Sequence, residues 1–326
     1  MKTPALNEPG IDDLPLPSQL GAFYTLRSIV GRGAMGTVYA ADGPKGECAI
    51  KVLVRQEPEA IARFIREIGL LEDLDHPAVV RVLDHGATED GRPYFVMPLY
   101  RQGDLGVHLA RVGALAPEVA LPIALAAMRG VQAANARGII HRDVKPSNLL
   151  FDETPKGTLG TYVVDFGLAT AGGGAGGLTM SGALMGTPHY VSPEQSTAPK
   201  SVDARADVWS FGMVLYHMLA GAPALANAGE FMSMLVGQHK LAPLQSRAPW
   251  VAGPVARVVH ASILRDKDAR IPDLGELALA LEMAVGYELA RRDVHLSDMV
   301  AFADDRKTFR AAAAAPIMHW QELLRA

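Results

Sequence analysis

A glycine-rich run near the start of the chain has the form G-x-G-x-x-G-x-V, with its glycines at Gly31, Gly33 and Gly36 and its valine at Val38. Glycine lets a backbone approach a polyphosphate without Cβ clashes and aims N–H groups at the phosphate oxygens. The run alone is weak evidence, because dinucleotide-binding folds place G-x-G-x-x-G between a strand and a helix. Here residues 38–40 continue as a strand, so the run lies in a β-hairpin that would cover phosphates from above.

A lysine and a glutamate follow the glycine-rich run. Lys51 lies on the third predicted strand and shares a face with the small residue Ala49, because side chains alternate along a strand. That face would admit a flat base, and Cys48 would point away from it as a small apolar filler. A lysine that reaches phosphates needs an anion to hold it, and Glu67 is the candidate. The helix pattern alone leaves a solvated surface glutamate equally open.

The most specific run is H-R-D-V-K-P-S-N at His141–Asn148. Within it, Asp143 can orient an attacking hydroxyl and accept its proton, and Lys145 can neutralise charge on a transferred phosphoryl group. Asn148 supplies a carbonyl oxygen, and Asp165, at the end of an apolar strand and before a glycine turn, supplies a carboxylate. Both are hard oxygen ligands suited to Mg²⁺. These residues together favour metal-assisted phosphoryl transfer.

The elements that must position these residues change in kind along the chain. Short apolar and β-branched runs predict strands at about 23–31, 36–42, 47–54, 79–84 and 94–97, with an amphipathic helix at 57–73. Later segments predict helices at 117–137, 208–220, 230–239, 255–264 and 274–285, and the segments 309–315 and 319–325 are compatible with helix. A sheet-rich part before a helix-rich part predicts two lobes with a cleft between them.

Composition excludes several classes of protein. Of 326 residues, 49% are hydrophobic and 20% charged, which is the composition of a folded protein with about two domain-equivalents. The net charge of −4 argues against a nucleic-acid binder that relies on a basic field. The single cysteine excludes a disulfide framework and a CxxC zinc site and indicates a reducing compartment. We expect no secretory signal, because the N-terminal residues 1–20 contain no apolar core. The uncharged run 208–226 is interpreted as a buried helix, so we expect a soluble, cytoplasmic protein without a membrane span.

The order of these motifs resembles that of the bacterial eukaryotic-like (Hanks-type) Ser/Thr protein kinases, over about residues 22–285. The resemblance implies an α+β, two-lobed protein kinase fold, with a small antiparallel-sheet N-lobe that carries one main helix and a larger, mainly helical C-lobe. It divides the kinase domain, 21–286, into an N-lobe at 21–97, a hinge at 98–101 and a C-lobe at 102–286. The proline-rich residues 1–20 are predicted to be a disordered leader, and 287–326 a C-terminal helical tail.

The resemblance also implies an activity, which is transfer of the γ-phosphoryl group of Mg-ATP to Ser or Thr hydroxyls of protein substrates, with Mn²⁺ as an alternative to Mg²⁺. It implies no nucleic-acid partner, and it allows a transient homodimer for trans-autophosphorylation. Two alternatives are a pseudokinase-like scaffold and a small-molecule kinase. The presence of Lys51, Asp143 and Asp165 argues against the first, and Lys145 argues against the second.

Roles follow from the resemblance one position at a time. Asp143 would be the catalytic base, and Lys145 would contact the γ-phosphate. Lys51 would bind the α- and β-phosphates and pair with Glu67. The metal ligands would be Asn148 and Asp165. The nucleotide-binding positions would be Gly31, Gly33, Gly36, Val38, Ala49, Lys51, Met97, Pro98, Tyr100, Asp104 and Leu150.

Two of the nucleotide-binding positions, Pro98 and Asp104, are less clearly assigned by the resemblance than the others. Pro98 stands where the family usually has an acidic residue, and it has no N–H to donate. The family uses only the carbonyl there and takes its hinge donor two residues later, at Tyr100, so the resemblance still implies adenine binding. Asp104 is a partner for ribose hydroxyls or simply an exposed loop aspartate; the sequence supports both interpretations equally.

The segment from Asp165 to Glu194 resembles the family's activation segment. Related kinases autophosphorylate at positions such as Thr179 and Ser181, and a phosphate there could pair with Arg142 and order the loop. Thr170 stands where the family usually has Arg or Lys, which weakens the argument that phosphorylation is required.

Four further residues receive structural roles from the same resemblance. Thr187 would contact the catalytic loop, as in Ser/Thr rather than Tyr kinases. Glu194 would pair with Arg270, and Asp207 would brace the catalytic loop.

Overall fold

The computed structural model describes residues 13–33, 36–54, 57–166 and 188–299. The chain divides into two compact units, one that ends at Arg101 and one that begins at Gln102. The first is a sheet with one main helix, and the second is mainly helical, which confirms the predicted α+β organisation.

The first unit is an antiparallel sheet with a single described helix. Its strands are β1 Ser18–Leu20, β2 Tyr24–Arg32, β3 Gly36–Gly43, β4 Gly46–Leu53, β5 Asp84–Ala87 and β6 Pro93–Pro98, and its helix is α1 Pro58–Asp73. The strands pair in the order β1-β2-β3-β4-β6-β5. The glycine-rich run therefore lies between β2 and β3, as the sequence predicted, and not between a strand and a helix.

The two faces of this sheet bury different side chains. One face carries an apolar cluster, here called the Tyr39 cluster, formed by Leu20, Tyr24, Leu26, Tyr39, Ala41, Cys48, Ile50, Val52, Tyr94 and Val96. The other face is covered by α1, whose Phe64 ring lies 5.5 Å from the Phe95 ring of β6. Because side chains alternate along β4, Cys48 and Lys51 lie on opposite faces. Burial raises the pKa of the Cys48 thiol, which suits the apolar filler that the sequence predicted.

The predicted disordered leader is corrected for residues 13–20. Ser18–Leu20 pairs antiparallel with the start of β2. Leu20 belongs to the Tyr39 cluster, and the partly buried Leu14 packs against it. Pro15 and Pro17 precede β1, so they remove no ladder hydrogen bond from it. Proline content therefore gave the wrong expectation here, and residues 1–12 lie outside the described residues.

The strand predicted at 79–84 is also wrong, because β5 begins only at Asp84. Val79 and Val80 are buried, but they lie outside all six strands. A short apolar run can be buried in a loop as well as in a strand, so hydrophobicity alone could not place this element.

Helix α1 has one buried side, as its apolar spacing predicted. It begins at Pro58, where the missing N–H of proline is not needed. Phe64, Ile68 and Leu71 are buried along one side, and Glu67 lies among them with 1% of its surface exposed. The sequence alone could not decide whether Glu67 is solvated, and its burial shows that it is not.

The second unit contains one hairpin and a set of packed helices. The described elements are α2 Leu105–Val112, α3 Pro117–Asn135, β7 Leu149–Glu153, β8 Leu159–Val163, α4 Pro193–Thr197, α5 Arg205–Ala220, α6 Ala228–Leu235, α7 Leu244–Arg247, α8 Gly253–Ser262, α9 Leu274–Val285 and α10 Tyr287–Ala290. All five helices predicted in this half are present, with ends that move by up to four residues. The short helix α2 precedes these helices, and the hairpin β7–β8 lies between α3 and α4.

Helix α5 is the uncharged segment that had to be distinguished from a membrane span. It ends at Gly221, whose left-handed backbone caps the helix through a bond from its N–H to the His217 carbonyl. All but three of its residues are buried, including Trp209 and Phe211. Among the described residues, no helix combines the length and the apolar character needed to cross a bilayer.

The described start of the predicted tail packs on the second unit. Helix α10 contacts α9 and α3, and the N–H of Leu159 in β8 donates to the carbonyl of Val294 at 2.6 Å. His295 Nδ1 lies 2.9 Å from the carbonyl of Gly157. The two later helices predicted at 309–315 and 319–325 lie outside the described residues.

Candidate active site

Four residues predicted to contact the nucleotide lie on one face of the first sheet. The register pairs Val38 with Lys51 and Ala49 with Met97, and directly opposite residues of an antiparallel pair share a face. Ala49 and Lys51 are two residues apart on β4, so all four lie on the face that α1 covers. Small and apolar side chains thus stand beside one cation.

Lys51 is held by buried groups on that face. Its Nζ lies 3.5 Å from Oε1 of Glu67, and both side chains are almost fully buried. The same nitrogen lies 5.7 Å from the ring centroids of Phe64 and Phe95, which is within the range of cation–π attraction. A buried charge is costly unless it is paired, so this carboxylate and these rings restrict where the ammonium group can be.

The three glycines of the run are required for different reasons. A Cβ on Gly36 would collide with the carbonyl oxygen of Val52 in β4, so packing alone demands glycine there. A Cβ on Gly31 would meet no described atom within 4 Å, and one on Gly33 would be only in ordinary contact. Contacts with the described residues do not explain these two glycines, whereas a closely approaching polyphosphate would.

The run His141–Asn148, here called the catalytic run, places three of its predicted residues in direct contact. Oδ2 of Asp143 accepts hydrogen bonds from Lys145 Nζ at 2.7 Å and from Asn148 Nδ2 at 3.1 Å. The same Nδ2 also donates to the Asp143 carbonyl at 2.8 Å. Among the described residues, no hydrogen bond engages the other carboxylate oxygen, Oδ1. One oxygen is therefore held in place while the other can accept a proton.

The carboxylate of Asp207 holds the backbone of the catalytic run through hydrogen bonds. It accepts from the N–H groups of His141 at 2.9 Å and Arg142 at 2.8 Å, and from Asn135 Nδ2 at 3.0 Å. Arg142 has φ of 64°, in the left-handed region that non-glycine residues avoid. A fully buried carboxylate with three donors stabilises this unfavourable backbone next to Asp143.

His141 links the catalytic run to the end of strand β8. Its Nδ1 accepts from the N–H of Asp143 at 3.3 Å, and its Nε2 lies 3.2 Å from the carbonyl of Val164. Both bonds suit a neutral ring that carries its proton on Nε2. The ring also lies 4.5 Å from that of Phe166, centroid to centroid. The two motifs that carry Asp143 and Asp165 are thus packed against each other.

The donor set at Asn148 and Asp165 fits a divalent cation. The N–H of Val164 donates to the carbonyl of Asn148 at 3.0 Å, which places Asp165 one residue further along the opposing strand end. Because Asn148 uses its amide nitrogen on Asp143, its carbonyl oxygen Oδ1 is the atom left for a cation. No group of three His, Cys, Asp or Glu suited to a metal occurs in the described part of the chain. Two oxygen ligands fit the mode in which Mg²⁺ takes its remaining ligands from phosphates and water.

The predicted floor and ribose positions are neighbours in the second unit. Leu150 points to the side of β7 opposite the fully buried Leu149 and Phe151, and it forms an isolated bridge with Asp104. Oδ1 of Asp104 accepts from the N–H of Val107 at 3.0 Å and caps helix α2. Asp104 therefore has a capping role in the fold, whether or not its second oxygen meets a ribose.

The predicted hinge positions follow the nucleotide-binding face directly. Pro98 is the last residue of β6, and its Cα is paired with that of Cys48 in β4. Tyr100 lies two residues beyond and is half-buried. Pro98 ends the strand without an N–H, so its carbonyl is the group that it can offer to a ligand.

Glu194 and Arg270 form a buried ion pair in the second unit. The guanidinium donates from Nη1 and Nη2 to the two carboxylate oxygens, at 2.7 and 3.1 Å, with 0% and 8% of the side chains of Arg270 and Glu194 exposed. The arginine lies 5.2 Å from the Trp209 ring and also donates to the carbonyl of Arg205. The bidentate geometry ties helix α4, which carries Glu194, to the loop that carries Arg270 and, through the Arg205 carbonyl, to the start of α5.

Two residues that support the catalytic run were missed in the sequence. Nε2 of Gln195 donates to the carbonyl of Arg142 at 2.8 Å, and its Oε1 accepts from the N–H of Ser192 at 3.1 Å. A signal for this exists, since S-x-x-Q is the capping-box pattern for a helix start. Asn135, which contacts Asp207, carries no comparable signal, because it ends a helix 72 residues away from its partner.

The structure describes the two ends of the predicted activation segment, up to Phe166 and from Pro188. Thr170, Thr179, Ser181 and Thr187 all lie outside the described residues. Near the C-terminal end of this segment, the hydroxyl of Tyr190 lies 2.7 Å from Nδ1 of His217 in α5. Burial raises the pKa of Tyr190 and lowers that of His217 to about 4, so at neutral pH the phenol donates to a neutral imidazole.

Comparison with known proteins agrees with this arrangement. The family model for the protein kinase domain matches residues 24–251. The chain is 37% identical over 289 residues to the DNA damage-responsive serine/threonine-protein kinase RqkA of Deinococcus radiodurans, which covers 84% of this chain and 40% of that protein. It is 33% identical over 273 residues to the serine/threonine-protein kinase PknJ of Mycobacterium tuberculosis, which covers 81% of this chain and 46% of that protein. The chain thus spans less than half the length of these two relatives.

A solved structure shows the same fold. The crystal structure of Rad53 residues 1–466 in complex with AMP-PNP matches with a TM-score of 0.62 and 23% identity, over 77% of this chain and 62% of that one. The two-lobed protein kinase fold is thereby confirmed. The chain belongs to the protein kinase family, and its relatives place it with the bacterial Hanks-type Ser/Thr kinases. Membership of this family implies the use of ATP and a divalent metal ion.

Proposed function

We propose that this protein transfers the γ-phosphoryl group of Mg-ATP to serine and threonine hydroxyls of protein substrates. The observation that carries the proposal is the hydrogen bonding of the Asp143 carboxylate. Lys145 and Asn148 hold one of its carboxylate oxygens, no described group engages the other, and Asp207 braces the backbone beneath it. This is the arrangement that a general base needs.

The proposed reaction uses these groups in defined roles. Oδ1 of Asp143 accepts a hydrogen bond from the substrate hydroxyl and takes its proton as the hydroxyl oxygen bonds to the γ-phosphorus. The bond from that phosphorus to the β,γ-bridging oxygen breaks, and ADP leaves. The ammonium group of Lys145, 2.7 Å from Asp143, offsets negative charge that develops on the phosphoryl oxygens.

The remaining residues hold the nucleotide in this proposal. Lys51, fixed by Glu67, contacts the α- and β-phosphates, and the backbone at Gly31 and Gly33 lies over them. Asn148 and Asp165 would hold Mg²⁺, to which hard oxygen ligands are suited, with Mn²⁺ as an alternative because the same ligands suit it. When bound, the ion supplies positive charge that screens the phosphate oxygens and keeps them aligned for transfer.

The test is transfer of labelled phosphate from ATP to a generic protein substrate by the wild type and by Asp143→Asn. We expect the variant to lose about 100-fold or more in rate, since general-base catalysis contributes on the order of 10²–10⁴. Asp152→Asn, a change at a half-buried position of β7 in the same unit, is the matched control and should retain the wild-type rate. Equal incorporation by the wild type and Asp143→Asn, or no transfer by the wild type to any protein, would contradict the proposal.

We further propose that the protein phosphorylates its own activation segment at Thr179 or Ser181, by way of a transient homodimer. The support is the sequence resemblance and the position of Arg142 next to the catalytic base. After phosphatase treatment, the double variant Thr179→Ala/Ser181→Ala should remain at low activity in the presence of ATP while the wild type recovers. Equal recovery of both proteins would refute this role for the two residues.

A further inference from the structure

One buried carboxylate of the leader bridges both sides of the glycine-rich run. Asp13, with 4% of its side chain exposed, accepts on Oδ2 from Nε and Nη2 of Arg32 at 3.0 and 2.9 Å. Its other oxygen, Oδ1, accepts from Oγ1 of Thr37 at 2.9 Å. Hydrogen bonds to a charged group are about twice as strong as neutral ones, so these contacts can compensate the burial of the carboxylate.

The two partners of Asp13 occupy matching positions on the hairpin. Arg32 is the last residue of β2, Thr37 is the second residue of β3, and they are directly paired across the two strands. The hairpin continues beyond this pair with a bond from the N–H of Gly33 to the carbonyl of Gly36, at 2.9 Å. Asp13 therefore joins the two strands where the glycine-rich turn begins.

The segment that carries Asp13 is itself anchored to the sheet. The N–H of Leu14 donates to the hydroxyl of Tyr39 at 2.8 Å, and Leu14 packs on the Tyr39 cluster. Five residues later, β1 pairs with β2, with the side chain of Gln19 donating to Thr25 at 3.0 Å. Ordering this stretch costs conformational entropy, which the added strand and the buried leucines offset.

The contact lies on the face of the sheet away from the proposed nucleotide. Along β3, Thr37 and Tyr39 point to one face of the sheet, and Val38, between them, points to the other. Val38 shares the face of Lys51, and Thr37 shares the face of the Tyr39 cluster. Asp13 can therefore influence a nucleotide only through the shape of the hairpin and through the position of the charged Arg32.

We propose that Asp13 is a positioning residue for the glycine-rich run: it holds Gly31–Gly33 against Gly36–Val38 in the shape that binds phosphates, and it keeps the Arg32 guanidinium on the opposite face. The proposal rests on the proposed function in one respect, which is that this run binds the phosphates of a nucleotide. The geometric part of the proposal does not depend on any activity.

The first test measures amide hydrogen exchange of the full chain without nucleotide. In Asp13→Asn, we expect peptides that contain the end of β2 and the start of β3 to exchange about tenfold faster, which corresponds to about 1.4 kcal/mol and to one charge-assisted hydrogen bond. The matched control is Asp42→Asn, which breaks an exposed ion pair with Arg27 near the other end of the same two strands. It should leave these peptides unchanged.

The second test measures binding of Mg-ADP by calorimetry, together with KM for ATP and kcat. Asp13→Asn should weaken binding and raise KM by about three- to tenfold with a smaller change in kcat, and Arg32→Gln added to Asp13→Asn should cause little further loss, because the pair acts as a unit. Faster exchange spread evenly over the whole sheet, or exchange and ADP affinity equal to the wild type, would overturn the proposal. Faster local exchange in a protein that transfers no phosphate would contradict the proposed function and leave the positioning role intact.

Discussion

Single residues at this site act in pairs whose charges are buried together. Lys51 with Glu67 and Arg270 with Glu194 each place a cation and a carboxylate almost out of contact with water. Replacing such a pair with apolar residues can be neutral, but removing one partner leaves the other buried and unpaired. Each pair therefore fixes the positions of its two charged groups more than it adds to the stability of the fold.

The pair formed by Arg270 leads to a stability prediction. Arg270→Gln should destabilise the protein by about 3–5 kcal/mol, because Glu194 would stay buried without its bidentate partner. Denaturant unfolding followed by tryptophan fluorescence measures this loss. The matched control is Arg129→Gln, which breaks an ion pair between Arg129, 45% exposed, and Glu282, and which should cost about 1 kcal/mol or less. Equal losses in the two variants would contradict the assignment.

Asp104 allows its two suggested roles to be separated. Asp104→Ala removes the cap of α2 and should cost about 1 kcal/mol, whereas Asp104→Ser keeps a side-chain acceptor for the Val107 N–H and should cost much less. If Asp104 also contacts the ribose, both variants should raise KM for ATP by a similar factor. A KM that changes only in the less stable variant would show that capping is its sole role.

Elements were predictable where their residues follow a regular period or a specific motif. Helix α1 and the helix around Trp209 were placed within a few residues, because apolar spacing or a long uncharged run marks a buried helix. Strand β1 was not found, since its three residues are too few to show alternation. The catalytic run could be read from motif spacing, whereas Asp13 and Asn135 could not, because their roles depend on contacts with distant parts of the chain.

The glycine-rich hairpin gives a prediction at this scale. Gly36→Ala should destabilise the first unit by about 1–3 kcal/mol, because its Cβ would overlap the Val52 carbonyl of β4 and the strands would have to move apart. Gly31→Ala meets no described neighbour and should leave thermal stability near that of the wild type while it weakens Mg-ADP binding. Thermal unfolding and calorimetry measure the two effects. A Gly31→Ala protein as unstable as Gly36→Ala would show that both glycines are required by packing.

At the scale of the whole molecule, two histidines of the second unit have pKa values below the usual 6.5 of the side chain. In the second unit, burial lowers the pKa of His217 to about 4 and lowers that of His260. In each ring, one nitrogen accepts a hydrogen bond that protonation of this nitrogen would break. Nδ1 of His217 accepts from the Tyr190 hydroxyl, and Nε2 of His260 accepts from the N–H of Leu244 at 2.8 Å. Hydrogen bonds to Arg205 and Lys267 hold the pKa of Asp203 well below its usual 3.8, so this carboxylate affects stability only in more acidic solution.

These histidines predict that the second unit loses stability as the pH falls from about 6.5 to 4. In that window the unfolded chain binds protons at His217 that the folded chain does not, so unfolding becomes easier at lower pH and full stability is present above 6.5. A shift from 6.5 to about 4 is worth up to about 3 kcal/mol at roughly 1.4 kcal/mol per pH unit. Trp209 and Trp250 lie in the described part of this unit, so tryptophan fluorescence in denaturant titrations reports on it. His217→Gln should flatten the dependence of unfolding free energy on pH, and adding His260→Gln should flatten it further, whereas a slope equal to that of the wild type in both variants would show that other groups control it.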